Sequence, residues 1–369
     1  MIRILETGLV YRNPVPHLRS VQAYFPSVDV LSGRELVGTV VLGEAFEATD
    51  LHTHVVRSKD GGRTWKHGGP IYPGTGNRLT SDACRIKALP NGDILVFMVR
   101  HDRTGHPDEG LTSTKTLGFV PTELLTLRSR DRGKTWSRPH EFTPPLVGPS
   151  FELCSPVTPL RDGRLLLPTS TWKGWNGSCP NGMRMVAFVS RDNGRTWPEY
   201  LDVMRDPKQH VIFWESKIVE FPDGRLLAVA WAYDLKAARD LPNHYAVSHD
   251  GGHTWTKPAS MGLYGQTLTP VLLDDDRVLC VYRRMDKKGL WANVSRLKRD
   301  QWVNREELPL WGAGAQGLTR TGKNMAENFQ GLRFGAPCLN RLKDGAVFAT
   351  FWCYEDFVSN IRWFRLKVH

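Results

Sequence analysis

Apolar residues in this chain fall in short runs rich in β-branched and aromatic side chains, and each run stops at Gly, Pro, Asp or Asn. No window carries a long apolar stripe at helical period, so the pattern predicts strands and turns throughout. One turn recurs between apolar strands: "LSGREL" (31–36), "LPNGDIL" (89–95), "LRDGRLL" (160–166), "FPDGRLL" (221–227), "LDDDRVL" (273–279) and "LKDGAVF" (342–348). Asn-Gly or Asp-Gly between alternating apolar residues is a strong hairpin signal. From Gly33 through Gly92, Gly163, Gly224 and Asp276 to Gly345 the steps are 59, 71, 61, 52 and 69 residues, which defines six copies of one unit.

A second phrase interleaves with the first. Residues 58–65 read "SKDGGRTW", 129–136 "SRDRGKTW", 190–197 "SRDNGRTW" and 248–255 "SHDGGHTW". Each unit therefore reads strand, Asp-Gly turn, strand, variable loop, strand, Ser-x-Asp turn, strand. Four antiparallel strands repeated radially make a β-propeller. The phrase itself is predicted to be structural: Asp60, Asp131, Asp192 and Asp250 accept turn N–H groups, Gly takes positive φ, and Trp packs between blades. The fifth unit keeps Ser295 and Trp302 but has Leu297 in place of Asp. The opening segment "RILETGLVY" is expected to supply the outer strand that closes the ring.

Composition refines this picture. The net charge of +11 comes from scattered Lys and Arg without a basic run, which points to acidic ligands rather than nucleic acid. None of the six cysteines forms a CxxC pair, so free thiols are expected. No run approaches a membrane span and the N-terminus lacks a signal peptide's apolar stretch, so a soluble cytoplasmic protein without membrane partner is the expectation. One domain over 1–369, with no cofactor and no metal, is predicted. Oligomeric state is not legible.

The four Ser-x-Asp phrases resemble the Asp-boxes of the sialidase (neuraminidase) superfamily. That resemblance implies an all-β, six-bladed propeller of four-stranded blades. It also implies a glycosidase of the exo-α-sialidase type, acting on a glycan or small acidic sugar. Because both repeated turns share one rim, the site is expected at the other, where the variable loops carry Trp, His, Arg, Asp and Glu.

The superfamily uses an Arg cluster, a Tyr nucleophile paired with a Glu, and an Asp acid. Glu215 matches the Glu, nine residues before Gly224. Asp50 is a positional candidate for the acid, with Glu44 and Glu47 as competitors. The Arg cluster matches less well: Tyr24 stands where the first Arg is expected, Trp231 near the second, and Arg283 or Arg284 can serve as the third. Arg19 and Arg85 are candidates to compensate. Trp172, Trp231 and Tyr245 join the substrate-binding candidates. The Tyr position holds Ala336, and Tyr24 is a candidate phenol from the adjacent blade.

Independently of the family, His54 and His244 each stand four residues before a phrase's Ser, in blades facing each other across the ring. With a Tyr they define an alternative: a propeller polysaccharide lyase acting on a uronate. A carbohydrate-binding protein without turnover is the third reading.

Overall fold

A computed structural model describes residues 1–314 and 331–369. Six antiparallel sheets follow one another along the chain, and among the described residues there is no helix. The fold is a six-bladed β-propeller, as the repeats predict. The innermost strands of blades 1, 2, 4, 5 and 6 are Gln22–Ser32, Thr80–Ala88, Val211–Glu220, Gly265–Leu272 and Phe334–Arg341. Blade 3 breaks its innermost strand into Ser150–Phe151 and Thr158–Pro159. The opening strand Ile2–Tyr11 pairs antiparallel with Val358–Val368 and becomes the outer strand of blade 6. Ring closure thereby covers two open sheet edges.

Apolar faces between blades form the core. Between blades 5 and 6, Leu279, Val281, Phe351 and Phe364 are buried in one cluster. Each such side chain contributes about 1.5–3 kcal/mol on burial.

The four Ser-Asp turns share one hydrogen-bond pattern. In blade 1, Ser58 Oγ donates to Asp60 at 2.8 Å, Gly62 N donates to Ser58 Oγ at 2.9 Å, and Thr64 donates to Asp60 through N at 3.0 Å and Oγ1 at 2.6 Å. Asp131, Asp192 and Asp250 receive the same set from their own Ser and Thr. The glycine is required twice over. Gly62, Gly133, Gly194 and Gly252 have φ of 92°, 76°, 79° and 96°. A Cβ there would also strike Phe348, Val37, Leu95 and Leu201 of the preceding blade at 2.5–2.9 Å. In the fifth unit a tight hairpin replaces the phrase: Arg299 and Asp300, both at positive φ, link strands whose last pair is Lys298 and Gln301.

Near the axis, by contrast, the innermost strands of blades 1, 4, 5 and 6 are bulged. The ladder slips between Tyr24 and Ser27, Trp214 and Lys217, Gln266 and Thr269, and Gly335 and Cys338. The first extra residue in each, Phe25, Glu215, Thr267 or Ala336, has φ between 47° and 55°. Such backbone costs about 1–3 kcal/mol per residue and bulges re-aim side chains.

Candidate active site

All four bulge residues line one axial cavity of about 190 Å³. Its walls are mainly apolar, with Phe46, Phe119, Phe151 and Trp352 prominent. Against that background three carboxyls converge, Glu47, Glu152 and Glu215, with three cations, Arg85, Lys217 and Arg283, and one imidazole, His101.

The bulges also organise the carboxyls. A bulge leaves a backbone N–H out of the ladder, and the neighbouring blade satisfies it. Glu215 N donates to Glu152 Oε2 of blade 3 at 2.7 Å. Thr267 N of blade 5 in turn donates a short hydrogen bond to Glu215 Oε2. Carboxylate and bulge thus alternate around three blades. Lys217, two residues beyond Glu215, donates from Nζ to the Glu215 carbonyl at 3.1 Å. Arg283 bonds Gln266 Oε1 at 3.1 Å and the Phe334 carbonyl at 3.0 Å. A Cβ on Gly335 would lie 2.5 Å from the Arg283 guanidinium, so glycine there makes room for it. Glu47 comes from the loop after blade 1's second strand, where its Oε2 accepts Leu111 N at 2.9 Å.

Low polarity sets the protonation of this group. Burial pushes Glu47 up to about 7, against the pull of the Leu111 N–H and of Arg103. Burial and the neighbouring Glu215 push Glu152 up to about 8. Glu215 is also raised by burial, but Arg283 and Lys217 oppose the shift. Burial holds Lys217 below the usual lysine range and brings His101 down to about 4. The cavity therefore holds carboxyls that titrate near neutrality beside fixed positive charge, an arrangement suited to moving a proton next to an anionic ligand.

Of the residues selected from sequence, Glu215, Arg85 and Arg283 meet here, and so does Glu47, the competitor of Asp50. The others sit elsewhere. Asp50 is exposed and its carboxylate accepts Glu44 N at 3.1 Å, closing its own loop. Tyr24 is fully buried behind the wall, its hydroxyl 2.5 Å from that of Tyr354 and its ring against Trp352 and Phe46. Burial raises its pKa. Trp172 and Trp231 pack against Trp214, with centroids 4.5 and 4.1 Å away, in a buried cluster, and neither lines the cavity. Tyr245 donates to the Asp300 carbonyl at 2.8 Å and fastens blade 4 to the blade 5 hairpin. Arg284 is held by Asp286 and Glu307, both at 2.7 Å, and Arg19 lines a separate surface depression with Phe357.

The two histidines also lie away from the cavity. His54 Nδ1 lies 2.9 Å from His67 Nε2 on the outer strand of blade 1, and His244 Nδ1 is 2.8 Å from the Pro242 carbonyl. Both belong to third strands. With strands about 4.8 Å apart, a third strand lies about 10 Å out from the innermost one, too far to reach the axis.

Sequence reasoning missed Glu152, Lys217 and His101. Lys217 carried a usable signal: alternation puts it on the same strand face as Glu215. Glu152 carried none, because blade 3 breaks the strand on which its position could be counted.

No family model matches the chain. A sialidase from Bacteroides fragilis is 26% identical over 239 residues, covering 58% of this chain and 39% of that protein. The match thus spans less than half the length of that relative. Among solved structures, a protein of unknown function from Dyadobacter fermentans superposes over 100% of this chain and 99% of its own, with TM-score 0.74 and 22% identity. A Hadza microbial sialidase superposes over 97% of this chain and 68% of its own, with TM-score 0.68 and 18% identity. The molecule is a six-bladed propeller with a cavity on its axis that gathers three carboxyls and three cations. The sequence is similar to that of one sialidase, and the solved structures that share the fold include sialidases.

Proposed function

We propose that this chain is a glycoside hydrolase acting on an acidic sugar in the axial cavity. The observation that carries the reading is the convergence of Glu47, Glu152 and Glu215 with Arg85, Lys217 and Arg283 in one mainly apolar cavity. Hydrolysis of a glycosidic bond needs a carboxylic acid to protonate the leaving oxygen and a carboxylate to act on the other side of the ring. Glu47, titrating near 7, is the acid. Glu215, held by Thr267 N and facing Arg283, is the carboxylate. Glu152 stays protonated at neutral pH and orients Glu215 through its backbone N–H. Arg283 and Arg85 take the sugar's anionic group. Ala336 in place of a Tyr, with Tyr24 and Trp231 packed inside the protein, distinguishes this site from one built on an Arg cluster and a phenol.

The test is a screen against aryl glycosides of sialic acid and of uronic acids, run with wild type, Glu47→Gln and Glu215→Gln. Release of the aryl group by wild type, and its loss in both variants at unchanged sugar affinity, supports the reading. An unsaturated product absorbing in the near ultraviolet would make the protein a lyase, and saturable sugar binding with no product would make it a lectin-like binder.

A further inference from the structure

The axial cavity does not end at its floor. Arg85, Cys154, Lys217 and Pro337 also line a second chamber of about 630 Å³, which continues along the axis toward the Asp-Gly turn rim, opposite the candidate active site. Five cations line it, Arg85, Lys87, Arg161, Lys217 and Arg341, against two carboxylates, Asp29 and Glu220. Lys87 and Asp29 form an ion pair at 3.1 Å, and Glu220 accepts the backbone N–H of Arg161 at 2.9 Å.

The other four cations have no carboxylate within ion-pair distance among the described residues. The Arg85 guanidinium reaches only the Phe25 and Cys84 carbonyls, both at 3.3 Å, and Lys217 Nζ only the Glu215 carbonyl. Arg161 donates to the Pro222 carbonyl, and the Arg341 side chain is exposed with no partner among the described residues. Elsewhere on this basic molecule arginines are neutralised locally, as Arg63 is by Glu6 at 2.9 Å, Arg128 by Asp93 at 2.9 Å and Arg277 by Asp274 at 2.6 Å. At the chamber mouth water can solvate Arg161 and Arg341. Arg85 and Lys217 are 9% and 7% exposed; Lys217 feels the Glu215 carboxylate across the upper cavity, whereas Arg85 has no carboxylate beside it among the described residues, and a buried charge without a close counter-charge is costly.

We propose that this lower chamber is a second binding site, for a small molecule carrying at least two anionic groups. One group lies against Arg85 and Lys217 at the inner end and the other against Arg161 and Arg341 at the mouth. Guanidinium forks at both depths favour carboxylate or phosphate oxygens. The chamber shares Arg85 and Lys217 with the upper cavity, so the test rests on the mouth residues Arg161 and Arg341, which belong to the opposite rim and to no part of the glycosidase reading.

Citrate and inorganic phosphate, titrated calorimetrically into the full chain at low ionic strength, test it. Citrate is expected to bind saturably, more tightly than phosphate, and to weaken as sodium chloride is added. The double variant Arg161→Ala/Arg341→Ala should bind citrate at least tenfold more weakly with an unchanged melting temperature. Glu47→Gln should bind it as wild type does. Absence of saturable citrate binding overturns the proposal, as does a double variant that binds as tightly as wild type. Citrate affinity that responds to Glu47→Gln and not to the mouth substitutions places the anion in the upper cavity and likewise overturns it.

Discussion

At the rim of the Ser-Asp turns, four blades repeat one arrangement: Ser58, Ser129, Ser190 and Ser248 each donate at 2.8 Å to the Asp two residues on. At the axis the corresponding strand positions are Phe25, Glu215, Thr267 and Ala336, no two alike, though all four share a bulge and a positive φ. Repetition marks what every blade needs to fold. Variation on a shared, strained backbone marks where the blades have diverged to build a site. The two regions also oppose each other electrically. The Thr hydroxyls and N–H groups hold Asp60, Asp131 and Asp250 well below the usual carboxylate range; Asp192, pushed up by partial burial, is still drawn down to about 2 by Thr196. Burial drives Glu47 and Glu152 the other way, to about 7 and about 8.

Substitution at the two ends should therefore separate turnover from stability. The largest expected effect is at the axis: Glu215→Gln or Glu47→Gln should lower turnover on a responsive glycoside by roughly 10²–10⁴-fold, with the melting temperature little changed. A Glu215 variant that unfolds early but turns over normally per folded molecule would reduce its role to holding Thr267 N. Next comes pH. With Glu47 as the acid, kcat/KM should fall about tenfold per unit above pH 7, as that carboxyl loses its proton. The alkaline limb should vanish in the residual activity of Glu47→Gln, and a limb that persists unchanged assigns the proton to another group.

A smaller effect belongs to the Ser-Asp rim. Asp192→Ala removes the acceptor of the Thr196 N–H and hydroxyl and should cost about 1–2 kcal/mol, read as a lower denaturation midpoint, with turnover per folded molecule intact. Because the folded pKa is depressed, this stabilisation is present above about pH 4 and fades as pH falls toward 2, so wild type and variant should converge in acid. The smallest effect has the opposite sign. Glu152 has a raised pKa, so its stabilising contribution is full below about pH 4 and is lost as pH rises through about 8. Glu152→Gln should match wild type in acid and gain on it by on the order of a few degrees near pH 9. Melting curves that run parallel at every pH would contradict the buried-carboxyl assignment.

The blade count, the interleaved turns and the closing role of 2–11 were legible because each is written locally and repeated. The chain also announces the failing fifth turn, where Leu297 replaces Asp and a two-residue hairpin forms. The site was legible only in part. Glu215 could be counted from Gly224 within one unit, and Arg85 and Arg283 lie on strands whose order was known. The choice among Glu44, Glu47 and Asp50 was not, because a loop's path depends on what it packs against: Glu47 is drawn in by Leu111 N of blade 2, while Asp50 turns back on Glu44 N. Aromatic richness at the upper rim was a poor guide, since Trp172 and Trp231 use their faces on Trp214.

Short-range periodicity alone determined that this protein is a six-bladed propeller with four Ser-Asp turns, for each turn closes on its own Ser, Gly and Thr. Only the tertiary structure decided which charged groups meet. Distance from the axis depends on a strand's rank in its blade, which removes His54 and His244. The contacts that bring Glu152 to Glu215 and Glu215 to Thr267 cross between blades, over 63 and 52 residues of chain.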